Sequence, residues 1–289
     1  MPAIADVSVI IPYHDREQYV DEAIRSVQAQ TVRPLEIIIV NDGSQKASRQ
    51  HLDRWAGICR VIDLEKSVGP SAARNEGIRR ARGQFIAFLD DDDIWMPHKL
   101  EAQLRYMQEH PECALVSSAV TVFFSDGTDY VWAYPNPSPL TLAQALTIGY
   151  YVVLSTWLIR TEVIRAVGGF DASFRGTEDQ ELVVRCCAAG HRVEVIGEPL
   201  IRYRREGHQN LTKRNWLMFS TDVKLCWKHR ALYYQAYGIR GIVSFLLERL
   251  HSASRQTRYV DGRVRFLLRV VKVKYEIRAD YKEPVGRSL

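Results

Sequence analysis

Short apolar runs alternate with amphipathic stretches over the first ninety residues. Val7–Ile11 (VSVII) and Glu36–Val40 (EIIIV) are strand-length and mostly apolar, and the stretch from Arg16 to Ala29 between them reads as a helix. Arg60–Leu64 and Phe85–Leu89 repeat the strand pattern, with a helix predicted over Ala72–Ala81. This β-α-β alternation predicts an α/β fold, with a mostly parallel sheet and helices on both faces. A helix over 97–109 follows, with Pro97 at a favoured first-turn position, and then a buried strand over Ala114–Val120.

Beyond that strand the alternation loses its regularity. Thr121–Trp132 alternates around Ser125-Asp126-Gly127-Thr128, a hairpin signal. The proline-rich run Tyr134–Pro139 excludes a helix, Tyr151–Ile159 reads as a strand, and Gly168-Gly169-Phe170-Asp171 as a turn. A helix is predicted over Glu178–Ala189 with Gly190 as its stop, then a short strand over Arg192–Val195. From about Trp216 the pattern is helical and basic. The expected organisation is a domain over 1–213 and a basic amphipathic helical extension over 214–289.

Composition narrows the class. The chain has 289 residues, 46% hydrophobic and 25% charged, enough for a large core plus an appendage. It has no apolar run of eighteen residues and no secretory leader pattern, and its five cysteines form no C-x-x-C pair. A reducing, cytoplasmic location is the expectation. Residues 201–289 carry 20 Lys+Arg against 7 Asp+Glu, which leaves 19 against 27 for residues 1–200. Such an acidic body would bind an anionic nucleotide poorly unless a metal or local arginines intervened.

Candidate chemistry starts where FIAFLDDDDIWMP (85–97) empties a buried strand into Asp90, Asp91, Asp92 and Asp93. The C-terminal end of a strand is where an open α/β sheet forms its ligand crevice. Two like charges 4 Å apart repel by about 4 kcal/mol at an effective dielectric near 20. A hard cation, Mg²⁺ or Mn²⁺, would relieve that repulsion and bind together with substrate phosphates; the alternative is a solvated acidic loop. Asp42, at the end of IIIVNDGS, suits a ribose hydroxyl, a base N–H or a plain turn. SVGPSAARNEG (67–77) brings Arg74 near a helix start, facing a base or phosphate or simply solvent. Glu178 and Asp179 open a helix, where the macrodipole favours acids regardless of chemistry. Neither a P-loop nor G-x-G-x-x-G is present.

Taken in order, SVIIPYHDREQYVDEAIRSVQAQT (8–31), IIIVNDGS (37–44), GPSAARNEGIRRARG (69–83), FLDDDDIWMP (88–97), GGFD (168–171) and TEDQEL (177–182) resemble the family 2 inverting glycosyltransferases. The resemblance runs from Val7 to about Thr212. It implies a GT-A fold, a Rossmann-like sheet architecture, and transfer of a sugar from a nucleotide-diphosphate sugar, usually UDP-linked, to the hydroxyl of a growing glycan or lipid-linked saccharide. By position it implies that Asp42 reads the base and that Arg74 helps hold the nucleotide. Asp91 lies nearer the ribose, Asp92 ligates the metal, and Asp179 is the general base with Glu178 beside it. Pro12 and His14 belong to the nucleotide loop after the first strand. The chain departs from the family in having Tyr13-His14-Asp15 where Thr-Tyr-Asn is common, so His14 stands where an aromatic would stack on the base. Glu206 replaces the histidine of a Tyr-Arg-x-His segment, with His208 two residues later as the candidate third metal ligand.

Two other readings compete. A sugar-phosphate nucleotidyltransferase would show a glycine-rich loop with a lysine after the first strand, which Pro12–Asp15 lacks. A nucleotide-sugar-binding scaffold would have no need of Glu178-Asp179. In the tail, Ile242, Phe245, Leu246, Leu250, Phe266, Leu267, Val270 and Val271 recur at near-helical spacing among Arg249, Arg255, Arg263, Arg265, Arg269 and Lys272. This suits helices lying at the inner face of the cell membrane. The alternative is packing on the catalytic body or on a second copy of the chain as a homodimer. No nucleic-acid motif is present, so nucleic acid is not an expected partner.

Overall fold

The computed structural model describes residues 4–132, 139–147, 153–205 and 215–255. Contacts divide the chain into two units, 1–209 and 210–289. The first opens as a β-α-β series: β1 (Ile4–Tyr13), α1 (Glu17–Gln28), β2 (Arg33–Asn41), α2 (Lys46–His51), β3 (Arg60–Asp63), α3 (Pro70–Arg80) and β4 (Phe85–Phe88). β5 (Ile94–Trp95), α4 (Lys99–Glu109), β6 (Cys113–Phe123), β7 (Asp129–Trp132) and α5 (Leu142–Thr147) follow. The unit closes with β8 (Leu158–Arg160), α6 (Thr161–Ala166), α7 (Glu178–Ala188) and β9 (Arg192–Arg204).

The strands form one sheet in the order β3-β2-β1-β4-β8-β6-β9-β5, with β7 paired to β6. β3, β2, β1 and β4 are mutually parallel, as is β6 with β9, while β8, β5 and β7 run antiparallel to their neighbours. Val7–Ile11 is buried on both faces. Val9 and Ile11 share a cluster with Val20, Ala23, Ile24 and Val27 of α1. Ile10 faces the other way: a Cβ on Gly77 of α3 would lie 2.6 Å from its Cγ2. Helices thus cover both faces, which is why β1 reads as a continuous apolar run.

Several local expectations are corrected. Helix α4 begins at Lys99, two residues after Pro97, because Ile94–Trp95 is an edge strand paired antiparallel with Ile201 and Arg202 of β9. Tyr151–Ile159 is not one strand: Leu154–Thr156 is a 3₁₀ turn and only Leu158–Arg160 is extended, while residues 151–152 lie outside the described ones. Strand β9 is much longer than Arg192–Val195, absorbing Gly197 and Pro199 through register shifts opposite Ser118–Val120. The proline-rich run over 134–138 lies outside the described residues.

The second unit contains α8 (Asn215–Lys228) and α9 (Arg230–Arg255), the latter kinked at Gly238. Phe245 is buried against the Tyr233 ring, 5.6 Å between centroids. Trp227, Tyr234 and Ile239 are turned outward, 65–72% exposed, and Val223 and Val243 are exposed as well. The inward turn of Phe245 corrects its assignment to an open apolar face. The expected face over Phe266–Val271 lies outside the described residues, and no helix among those described is long and apolar enough to cross a membrane.

Candidate active site

The C-terminal ends of β1, β2 and β4 gather the predicted residues. Pro12 pairs with Val40 across β1 and β2, and Tyr13 is buried with its hydroxyl 2.6 Å from Ser48 Oγ. His14 keeps half its side chain exposed while Nδ1 lies 2.7 Å from the Asp42 carbonyl. Asp15 adopts a left-handed φ of 50°; its amide donates to Ser44 Oγ and its carboxylate accepts from the Gln45 amide at 2.8 Å. The loop after β1 is thereby docked on the loop after β2.

Asp42 is buried and organises the loop that precedes α3. Its Oδ1 accepts from the Val68 amide at 2.7 Å, and its Oδ2 from the Gly69 amide at 2.9 Å and the Ser67 hydroxyl at 3.0 Å. A carboxylate has about four acceptor positions, so these three bonds leave one on Oδ1. Gly43 is required beside it: its φ is +64°, and a Cβ there would lie 2.4 Å from the Ser67 amide nitrogen. Next to this loop is a hollow of about 410 Å³ lined by Leu64, Ala72 and Arg79 among others; none of the aspartates named here reaches it.

The four aspartates after β4 take separate partners. Asp90 Oδ1 accepts from Arg74 Nη2 at 2.6 Å. One guanidinium nitrogen, Arg16 Nη1, donates to both Asp91 Oδ1 (2.9 Å) and Asp92 Oδ2 (2.7 Å). Asp93 is turned inward, accepting from the Ser155 hydroxyl at 2.5 Å and the Arg204 amide at 3.0 Å. Arg204 also donates from Nε to the Asp92 carbonyl and reaches Glu22. Burial pushes the Asp91 carboxyl up to about 7 despite Arg16, with Asp92 and Asp90 adding repulsion. Asp92 is raised as well, by burial first and by Asp90.

Arg74 connects this loop to the second acidic pair. It is 4% exposed, with Nη2 on Asp90 and Nη1 3.6 Å from Glu178 Oε1, while Nε and Nη1 lack hydrogen-bond partners. Burial opposes its charge, but Asp90 and Glu178 outweigh that and raise its pKa. Next along α3, Asn75 makes two bonds to Phe170, accepting from its amide and donating to its carbonyl, each 2.8 Å. Gly169 stands so close that a Cβ would lie 2.6 Å from Asn75 Oδ1. The GGFD turn is thus fastened to α3, and the Phe170 ring, stacked on Trp157, lies under the Arg74 guanidinium.

Glu178 and Asp179 begin α7. Glu178 Oε2 accepts from the Gly176 amide at 2.6 Å, and Asp179 Oδ1 from the Gln180 amide at 2.7 Å. The Asp179 carboxyl is pushed up to about 8, by burial first and by the neighbouring Glu178. Arg74 therefore ties the aspartate loop after β4 to the start of α7, where Asp179 follows Glu178. Arg16 is the residue of this site that the sequence does not mark. Arg16 stands just before the first helix, where an arginine looks like ordinary surface, and nothing local to it signals a partner 75 residues away.

Asp91 and Asp92 offer carboxylate oxygens, the donor chemistry of a hard divalent cation. No group of three His, Cys, Asp or Glu side chains is arranged around one point among the described residues, so a cation here would complete its shell from ligand phosphates and water. His208, the candidate third ligand, lies outside the described residues.

Known proteins resemble the chain in sequence and fold. The amylovoran biosynthesis glycosyltransferase AmsE of Erwinia amylovora is 27% identical over 247 residues, covering 83% of this chain and 91% of its own. S. aureus TarS 1-349, solved in complex with UDP-GlcNAc, matches with a TM-score of 0.61 at 17% identity, over 93% of this chain and 87% of that one. A mannosyltransferase from Pyrobaculum calidifontis, solved in complex with GDP-Man and Mn²⁺, matches with a TM-score of 0.60 at 16% identity, over 98% of this chain and 83% of that one. The architecture is therefore the GT-A type expected. The model of glycosyl transferase family 2 matches residues 8–168, more than half of the chain, which therefore belongs to that family.

Proposed function

We propose that this glycosyltransferase moves a sugar from a UDP-sugar to an acceptor hydroxyl of a growing glycan or lipid-linked saccharide, with inversion and with a divalent cation, Mn²⁺ or Mg²⁺. The observation that carries this reading is the Arg74 bridge, which joins the acidic loop after β4 to the start of α7. When bound, a cation held by Asp91 and Asp92 would neutralise charge developing on the departing diphosphate. The remaining acceptor position of Asp42 suits a base N–H, and His14, half exposed beside it, suits a stacking role. Pro12 ends the strand that carries this loop. As the acceptor oxygen bonds to the anomeric carbon, the bond from that carbon to the diphosphate breaks on the opposite face. The acceptor proton passes to Asp179 in its ionised form; with the pKa raised to about 8 that form is a strong proton acceptor, and its share, and with it turnover, grows as pH rises toward 8. Glu178, held by the Gly176 amide and Arg74, raises that pKa through its own charge.

AmsE, a relative in polysaccharide biosynthesis, supports a saccharide acceptor, and the TarS complex supports a UDP-linked donor. The GDP-Man complex of the Pyrobaculum neighbour makes the base the point to test. A panel of UDP- and GDP-sugars, scored by thermal stabilisation with and without Mn²⁺, should single out a UDP-sugar in the presence of Mn²⁺. The expected gain is about 2.7 kcal/mol at one hundred times the dissociation constant. No shift with any nucleotide sugar would contradict the reading.

For residues 210–289 the reading is attachment to an anionic membrane surface. It is supported by the outward Trp227, Tyr234 and Ile239, which stand among Lys224, Lys228, Arg230 and Arg240. Liposome flotation should fall with salt; equal flotation of a chain ending at Lys213 would refute it.

A further inference from the structure

Arg16 holds the two carboxylates that would serve a divalent cation. A single nitrogen, Nη1, lies 2.9 Å from Asp91 Oδ1 and 2.7 Å from Asp92 Oδ2, the short separations of charge-assisted hydrogen bonds. A divalent cation held by Asp92, alone or together with Asp91, would need carboxylate oxygens that the guanidinium now holds. The two cations would therefore compete. The backbone at Arg16 is anchored, since its carbonyl accepts from the Tyr19 and Val20 amides at the start of α1. Its side chain is 45% exposed, so the guanidinium can leave without opening the core.

We propose that Arg16 is a built-in counter-cation, which holds Asp91 and Asp92 together in the donor-free protein and competes with the divalent cation for both. This rests on the metal-dependent reading above and adds to it a device that makes metal binding depend on donor. Metal alone must displace a guanidinium already paired with two carboxylates. A nucleotide diphosphate offers the metal further oxygens and offers the released guanidinium a new anionic partner, so metal and nucleotide strengthen each other's binding by the same factor.

The test is Mn²⁺ binding, followed by the loss of the free-ion electron paramagnetic resonance signal. It uses the whole chain and its Arg16→Gln variant, each with and without UDP. Without UDP, Arg16→Gln should bind Mn²⁺ roughly tenfold more tightly than the parent. With UDP the two should converge, so the gain in Mn²⁺ affinity from UDP shrinks by about the same factor. Should Arg16→Gln not fold, Arg16→Lys takes its place. A lysine ammonium is more strongly hydrated than a guanidinium and holds the pair less firmly, and a gain of roughly threefold is expected. If the variant binds Mn²⁺ no more tightly than the parent without UDP, while both bind it with UDP, the counter-cation is refuted and the metal reading survives. If neither binds Mn²⁺ even with UDP, both fall.

Discussion

The chain brings two acidic clusters to one site and treats them in opposite ways. Asp90, Asp91 and Asp92 are met by arginines from distant parts of the chain, Arg74 and Arg16, and Asp93 is buried on a hydroxyl and an amide. The Asp179 carboxylate accepts from a backbone amide, and the strongest charge acting on it is that of its neighbour Glu178. A cluster compensated in part by a movable cation, Arg16, can exchange it for a metal and a diphosphate. A buried carboxyl beside a like charge is poised to take a proton. The residue type is the same in both places, and the partners separate the roles.

If that contrast is right, Asp179→Asn should lower turnover by roughly 10²–10⁴-fold, the usual worth of a general base, and steady-state kinetics would show it. Near-normal turnover in a folded variant would assign the base elsewhere. Arg74→Met should act on both clusters at once. Removing one member of a buried charged set costs about 3–5 kcal/mol, because Asp90 and Glu178 would be left facing each other without a cation. Urea unfolding would measure this, and a loss below about 1 kcal/mol would mean that the bridge is dispensable.

A smaller effect is read from pH. The folded-state pKa of Asp179 is raised to about 8, above its ordinary carboxylate value, so between about pH 4 and 8 the folded chain holds a proton that the unfolded chain has released. Its contribution to stability is therefore lost progressively as pH rises toward 8. Asp179→Asn, which cannot ionise, should become more stable relative to the parent over that range, by about 1–2 kcal/mol at pH 8.5. Parallel melting curves for parent and variant from pH 5 to 8.5 would contradict it.

Much of this was legible from sequence, for physical reasons that also explain what was not. β1, β2 and β4 are covered by helices on both faces, so Val7–Ile11, Glu36–Val40 and Phe85–Leu89 show as apolar runs without needing tertiary context. The six-residue helices α2, α5 and α6 are too short to establish a helical period. Gly197 and Pro199 look like the end of a strand, yet β9 continues past them because β6 shifts register to accommodate it. In the site, the acidic residues announce themselves by clustering, whereas Arg16 and Arg74 owe their meaning to partners 75 and 16 residues away. Asp42 is instructive in another way. Its carboxylate secures the 67–69 loop with three bonds, so the base-reading role proposed for it would share the side chain with a turn role.

The most direct test of the division of labour is UDP affinity in the presence of Mn²⁺, measured by calorimetry for Asp92→Asn and Asp179→Asn side by side. The account predicts that Asp92→Asn loses the Mn²⁺-dependent part of the affinity, while Asp179→Asn stays within about twofold of the parent, since a base that acts only as the acceptor attacks adds nothing to donor binding. Equal losses in the two variants, or an Asp92→Asn protein that still binds UDP more tightly with Mn²⁺ than without it, would contradict it.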